Sequence, residues 1–192
     1  MCSIIGYSGE DPAAPILVKG LKRMEYRGYD SVGVATKTES EISLRKGVGK
    51  VAEVNQSAQL DKLSGKIGIG HTRWATHGKV TDANAHPHPS NSGNIAIVHN
   101  GIIENFSELK ENLVKEGFSF KSETDTEVIA NQLQKNFSEK GNVKKALIKT
   151  LSELKGHYGF VAMFEDGTLA AARFHEPLII GIGKEGYFLS SD

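Results

Sequence analysis

The chain has 192 residues with 23 basic and 23 acidic side chains, so its formal charge is zero. That balance excludes a strongly basic surface for nucleic acid or an anionic membrane. A single cysteine excludes an internal disulfide framework and suits a reducing, cytoplasmic setting. The stretch from Met1 to Pro12 lacks the basic and apolar regions of a signal peptide, and no apolar run approaches the ~20 residues that cross a bilayer. The length suits one domain with a proper core, or the front part of a larger protein.

In chain order, Ser3–Tyr7 reads as a short buried strand. Ala14–Met24 places Ile16, Leu17, Leu21 and Met24 at helical spacing. Val32–Thr36 and Ile42–Lys46 read as strands around a polar turn, and Lys66–Gly70 as a Gly-rich strand that leads into His71. Thr72–Asn94 is long, polar and without periodicity, which marks a functional or disordered segment. Ile95–Val98 reads as a strand that ends at a turn, His99-Asn100-Gly101. Asn105–Glu116 is amphipathic, with Phe106, Leu109, Leu113 and Val114 on one side and Gly117 as its stop. Thr124-Asp125-Thr126-Glu127 has the spacing of a capping box ahead of Val128, Ile129 and Leu133. A further helix covers Val143–Leu154. The tail then changes period: Tyr158–Phe164, Leu169–Arg173, Leu178–Gly183 and Tyr187–Ser190 read as strands, with Asp166-Gly167 as a hairpin turn. Strands with helices grouped between them predict an α+β fold, helices layered on antiparallel sheets. The chain stops directly after a strand, which reads as a cut inside a longer protein.

The chemistry begins at Cys2. A cysteine in second position is small enough for an aminopeptidase to remove Met1, which leaves a thiol and a free α-amino group on one residue. That amine has a pKa of about 7.7–8.0, so it can accept a proton from the thiol and make one residue both nucleophile and base. The alternative is a small buried apolar residue in the first strand. Thiol attack on an amide needs oxyanion donors, substrate anchors and a cover against water. Asn100-Gly101 can supply a side-chain and a backbone N–H, or be an ordinary turn. Arg73 can grip a carboxylate in bidentate fashion with Trp74 beside it as a lid and Gly78 as its hinge, or be a solvated arginine beside a core tryptophan. Asp125 can bind an ammonium, or merely complement a helix dipole. Arg27 and Asp30 suggest a buried pair in the loop below the N-terminus. His71, His77, His86, His88 and His99 lack the spacings of a zinc site, so loop-ordering hydrogen bonds are expected of them, with no metal and no cofactor.

Five segments stand in the order found in class II glutamine amidotransferases: Cys2, Glu25–Gly33, His71–Gly78, His99–Asn105 and Ser122–Glu127. The chain resembles that family over nearly its whole length. Tyr26-Arg27-Gly28-Tyr29-Asp30 and the His71–Gly78 segment are similar to the branch that acts with fructose 6-phosphate. The resemblance implies an N-terminal-nucleophile (Ntn) hydrolase fold, a four-layer αββα sandwich. It implies that Cys2 attacks L-glutamine, that Asn100 and the Gly101 N–H hold the oxyanion, that Arg73, Thr76 and His77 take the α-carboxylate, that Asp125 takes the α-ammonium, and that Trp74 belongs to the lid. It further implies C-terminal sugar-isomerase domains in a longer chain, where the released ammonia would turn fructose 6-phosphate into glucosamine 6-phosphate, and a homodimer as the assembly. A phosphoribosyl-pyrophosphate-type amidotransferase, a free-standing Ntn amidase and a non-catalytic domain are the alternatives. One departure stands out: the family usually carries Gly after the nucleophile, and here the residue is Ser3.

Overall fold

In a computed structural model, which describes residues 2–75 and 78–192, the strands form two sheets whose ladders are antiparallel throughout. The larger sheet runs, in spatial order, β3 (Ile42–Val48), β2 (Ser31–Lys37), β4 (Ile67–Arg73), β1 (Ser3–Gly9), β10 (Gly186–Ser190) and β9 (Ile179–Ile182). The smaller runs β5 (His88–Pro89), β6 (Ile95–Ile103), β7 (Gly156–Phe164) and β8 (Leu169–Phe174). Helices α1 (Ala13–Arg23) and α2 (Val51–Ala58) cover the larger sheet; α3 (Phe106–Lys115), α4 (Asp125–Lys140) and α5 (Val143–Glu153) lie over the smaller. No helix among the described residues is long and apolar enough to cross a membrane.

The two-residue period of a strand sorts side chains into layers. In β1, Ile4 faces the other sheet while Ile5 and Tyr7 face α1. In β6, Ala96 and Val98 point between the sheets while Ile95 and Ile97 meet the helices. In β7 the same split separates Val161 and Met163 from Phe160 and Phe164. Three apolar layers result: helix on sheet, sheet on sheet, sheet on helix. This is the αββα sandwich. Ile69, fully buried in the central layer, is a position where truncation to Ala would cost about 2–5 kcal/mol.

Three local expectations fail. The helix α2 is absent from the sequence reading, although Val51 and Val54 are buried at i, i+3 spacing and Glu53 caps the Lys50 N–H at 3.1 Å. The strand β6 does not end at Val98; it continues through His99-Asn100-Gly101 to Ile103, because Gly101 pairs with Tyr158 and Ile103 with Gly156 in the antiparallel ladder to β7, which follows only after α3, α4 and α5. The Asn-Gly pair is therefore inside a strand and not at a turn. Finally, Thr124 makes no side-chain cap on α4. Glu127 reaches back past it and accepts from the N–H groups of Lys121 and Ser122, at 2.8 and 2.7 Å. It ties the preceding loop instead of closing a capping box.

Candidate active site

Strand register assembles the site. In the larger sheet Ser3 pairs with Thr72, so Cys2 lies one step further along, where β4 ends at Arg73. The backbone N–H of Trp74 donates to Cys2 Sγ at 3.2 Å. The Cys2 carbonyl accepts from Asn100 Nδ2 at 3.2 Å and from Arg27 Nε at 3.4 Å. Burial pushes the Cys2 thiol pKa up, against the lowering effects of the Trp74 N–H and the Arg73 charge. Ser3 fits without strain: its hydroxyl is fully buried and donates to the Met24 carbonyl at 3.1 Å, below the end of α1.

Asn100 reaches Cys2 from the other sheet, so the contact between β1 and β6 brings two of the expected site residues together. Gly101 has φ +114°, and a Cβ there would overlap the His157 carbonyl oxygen on β7. Only glycine meets both demands. The donors expected for an oxyanion, Asn100 Nδ2 and the Gly101 backbone, thus stand beside Cys2.

Arg73 and Trp74 exchange the environments suggested by one reading of them. Arg73 is 5% exposed and Trp74 43% exposed. The guanidinium donates to the Lys79 carbonyl at 3.3 Å, and burial lowers its pKa, opposed by Cys2, Asp30 and Asp125. The Trp74 ring meets Tyr29 edge-on, centroids 5.4 Å apart, at the rim. Gly78 has φ +73°, as a bend requires. Thr76 and His77, expected at the carboxylate end, lie outside the described residues, as does Met1.

Asp125 opens α4, so its carboxylate sits at the positive end of the helix dipole. One oxygen accepts the Ile103 N–H at 2.8 Å, and the other lies 3.8 Å from His99 Nδ1. The expected Arg27–Asp30 pair does not form. Arg27 bonds Asp192 Oδ2 at 3.1 Å as well as the Cys2 carbonyl, and Asp30 accepts the Ala75 N–H at 2.8 Å. Each therefore holds backbone next to the nucleophile from its own side.

Behind this surface lie four buried imidazoles, His71, His86, His88 and His99. His71 stacks on His86 at 4.2 Å, and His86 meets His88 edge-on at 4.7 Å. Thr126 Oγ1 lies 2.8 Å from His86 Nε2 and 3.0 Å from His99 Nδ1, and Thr124 Oγ1 lies 3.1 Å from His88 Nε2. Burial holds all four pKa values down, that of His71 to about 3. His86, His88 and His99 tie the loop before β6 and β6 itself to the start of α4, while His71 joins β4 to β6. Among the described residues no group of three or more His, Cys, Asp or Glu is arranged for a metal ion.

A cavity of about 190 Å³ opens over these groups. Cys2, Arg73, Trp74, Asn100, Gly101 and Asp125 all line it, so six of the eight expected site residues meet at one place. The cavity brings a thiol and neutral donors together with the Arg73 guanidinium and the Asp125 carboxylate, groups that suit an amide belonging to an α-amino acid. Sequence reasoning missed the remaining wall, formed by Arg27 together with His157 and Glu176, which pair at 2.8 Å. Arg27 carries a signal, since it falls within one of the five family segments; His157 and Glu176 carry none.

A family profile described as a glutamine amidotransferase domain matches residues 71–192. The glutamine–fructose-6-phosphate aminotransferase (isomerizing) of Pyrococcus horikoshii is 52% identical over 194 residues, which cover 100% of this chain and 32% of that protein. The enzyme of the same name from Aquifex aeolicus is 49% identical with the same coverage. This chain therefore spans about a third of the length of the curated relatives it matches. Among solved structures, the glutamine phosphoribosylpyrophosphate amidotransferase from B. subtilis superposes with a TM-score of 0.85 at 32% identity, over 99% of this chain and 42% of that one. A glutamine aminotransferase class-II domain protein from Silicibacter pomeroyi superposes with a TM-score of 0.66 at 16% identity, over 99% and 88%, which is a likeness of fold.

Proposed function

Because this chain belongs to the glutamine amidotransferase domain family, we propose that it hydrolyses L-glutamine to glutamate and ammonia through a thioester on Cys2. The observation that carries the reading is the convergence of the Cys2 thiol, the Asn100 amide, Arg73 and Asp125 on one small cavity. Arg73 holds the α-carboxylate of glutamine, with Thr76 and His77, and Asp125 holds the α-ammonium. With both ends of the amino acid anchored, the γ-amide is brought to Cys2.

Removal of Met1 frees the α-amino group of Cys2. That amine takes the thiol proton through a water, and the thiolate adds to the amide carbon. The carbonyl oxygen gains the charge, which Asn100 Nδ2–H and the Gly101 N–H receive. The ammonium of Cys2 returns its proton to the departing nitrogen, and ammonia leaves. A water then adds to the thioester, and collapse of the second tetrahedral intermediate releases glutamate and restores the thiol. Trp74 covers the cavity during these steps.

In a longer chain, residues 1–192 are the glutaminase domain, followed by sugar-isomerase domains that use the ammonia to make glucosamine 6-phosphate from fructose 6-phosphate. Identities near 50% to aminotransferases of that name, against 32% to the glutamine phosphoribosylpyrophosphate amidotransferase from B. subtilis, favour this branch over the latter. The longer protein is a homodimer in this reading.

The test is intact mass spectrometry before and after incubation with an electrophilic glutamine analogue, on the purified chain and on its Cys2→Ala variant. Loss of Met1 and one adduct on the wild type, with none on the variant, is the expected result. A processed wild type that stays unlabelled, or a variant that still hydrolyses glutamine, would remove Cys2 from the reaction.

A further inference from the structure

The mechanism above leaves His71 without a task, although it touches the oxyanion arm directly. Its Nε2 lies 3.0 Å from Asn100 Oδ1 and 3.1 Å from the His99 carbonyl oxygen. Both neighbours are acceptors, so the ring carries its proton on Nε2 and donates it. Nδ1 is then the bare nitrogen, and it has no hydrogen-bonding partner among the described residues. The ring cannot easily turn: it is 1% exposed, it stacks on His86, and its backbone on β4 is held between Ile4 of β1 and Gly33 of β2.

The side-chain amide of Asn100 has two ends of nearly equal size and opposite polarity. In the observed orientation Oδ1 accepts from His71, and Nδ2 donates to the Cys2 carbonyl at 3.2 Å. A half-turn of the amide would set its NH₂ against the His71 N–H and its oxygen against the Cys2 carbonyl. Both contacts would then be like against like, in a buried place where an unmatched polar group is costly. The Cys2 carbonyl alone cannot enforce the orientation once substrate draws the amide away toward the oxyanion. His71 stays in place throughout.

We propose that His71 is a positioning residue for oxyanion stabilisation: its Nε2–H fixes which end of the Asn100 amide faces the nucleophile. The proposal rests on the roles given above to Cys2 and Asn100. It also accounts for a histidine at this place. A serine hydroxyl can donate or accept and would tolerate either orientation of the amide, whereas a neutral ring clamped in one tautomer offers only a donor. The two acceptors at Nε2, the Asn100 Oδ1 and the His99 carbonyl oxygen, keep the proton on that nitrogen, so the donor is constant.

Two measurements test it. The first needs no turnover: long-range ¹H–¹⁵N spectra of the histidine-labelled protein, with His71 assigned by loss of its signals in His71→Gln. The neutral Nε2–H tautomer from pH 8 to pH 5 is expected. An Nδ1–H tautomer, which leaves Nε2 an acceptor, overturns the proposal. The second is kinetic. His71→Phe keeps the ring and removes the donor. Its kcat for glutamine hydrolysis should fall about ten- to a hundredfold, less than or equal to the loss of an oxyanion donor itself. KM should stay within about twofold, since His71 lies behind the amide and not at the substrate anchors, and alkylation of Cys2 by iodoacetamide should keep its rate. His71→Gln, which restores an N–H donor, should regain most of the kcat. Wild-type kcat in His71→Phe, or equal loss of kcat and of thiol alkylation, would sink the idea. If His71→Phe fails to fold, the spectra on the wild type still decide. If the wild type hydrolyses no glutamine, the proposed function falls, while the tautomer still reports whether the lock exists.

Discussion

Trp74 and Cys2 are joined through the backbone: the Trp74 N–H donates to Cys2 Sγ at 3.2 Å while the indole stands at the rim. One residue thus touches the Cys2 thiol with its main chain and lines the rim of the cavity with its side chain. The two roles are separable. In Trp74→Ala the N–H survives, so iodoacetamide should alkylate Cys2 within about twofold of the wild-type rate. The covering ring and its edge contact with Tyr29 are lost, so KM for glutamine should rise about tenfold, equivalent to about 1.4 kcal/mol of binding. Steady-state kinetics beside thiol alkylation reads both, and a large fall in alkylation would mean that the indole itself shapes the thiol.

Asp125 has a structural bond and a proposed substrate contact, and Asp125→Asn separates them. The asparagine oxygen can still accept the Ile103 N–H seen at 2.8 Å, so the midpoint of urea unfolding should change by less than about 1 kcal/mol in stability. The negative charge is gone, so KM for glutamine should rise about a hundredfold, in line with a lost charge-assisted bond of up to about 3 kcal/mol. An amide substrate without the α-ammonium should be affected little. Equal losses for both substrates would leave Asp125 as a strand tie only.

Gly101→Ala adds a methyl group where the chain has φ +114° and where the His157 carbonyl oxygen already fills the space. Strain at such a position costs about 1–3 kcal/mol, and relief requires β6 and β7 to part beside Asn100. Glutamine hydrolysis should drop by about a hundredfold or more, together with a lower thermal midpoint. An active and equally stable variant would show that this backbone has room to move.

The buried imidazoles predict a steep loss of stability in acid. An unfolded histidine takes up a proton near pH 6.5, while burial lowers the folded pKa of His71, His86, His88 and His99. The unfolded chain therefore binds more protons below that pH. The contribution of these rings is complete above about pH 6.5 and shrinks as pH falls, for His71 as far as about pH 3. Each ring that stays neutral in the fold adds up to about 1.4 kcal/mol per pH unit to this loss. Urea unfolding at pH 7, 6 and 5 should show it, and His88→Gln should flatten the dependence by about one proton. A flat profile would mean that the rings protonate without unfolding.

Much of the fold was legible because its strands are short apolar runs bounded by turn residues. Ile95–Val98 alternates between layers, and Asp166-Gly167 turns β7 into β8 as hairpin chemistry dictates. The position of Cys2 alone left a small buried residue as the alternative, and the other four segments of the family pattern were needed to favour a nucleophile there. What escaped depended on partners far away in sequence. Asn100-Gly101 looks like a turn because nothing local reveals that Tyr158 pairs with Gly101. Arg27 looks like a partner for Asp30, three residues on, because Asp192 is 165 residues away. Arg73 beside Trp74 gives no hint of which one is buried; the inward direction of β4 decides it, and that direction is set by the pairing with β1 and β2. The donor role of His71 likewise exists only once β4 and β6 have met.

The first strand lies inside the larger sheet, and one of its two neighbours is the last strand: Ile5 pairs with Ser190. Synthesis runs at about 5–20 residues per second, so a growing chain carries its first strand for roughly ten to forty seconds before β10 exists to pair with it. During that interval the start of the chain is open to enzymes that trim it. The trimming of Met1 that the proposed function requires can thereby precede completion of the larger sheet, whose central strand receives its last neighbour only when synthesis reaches β10.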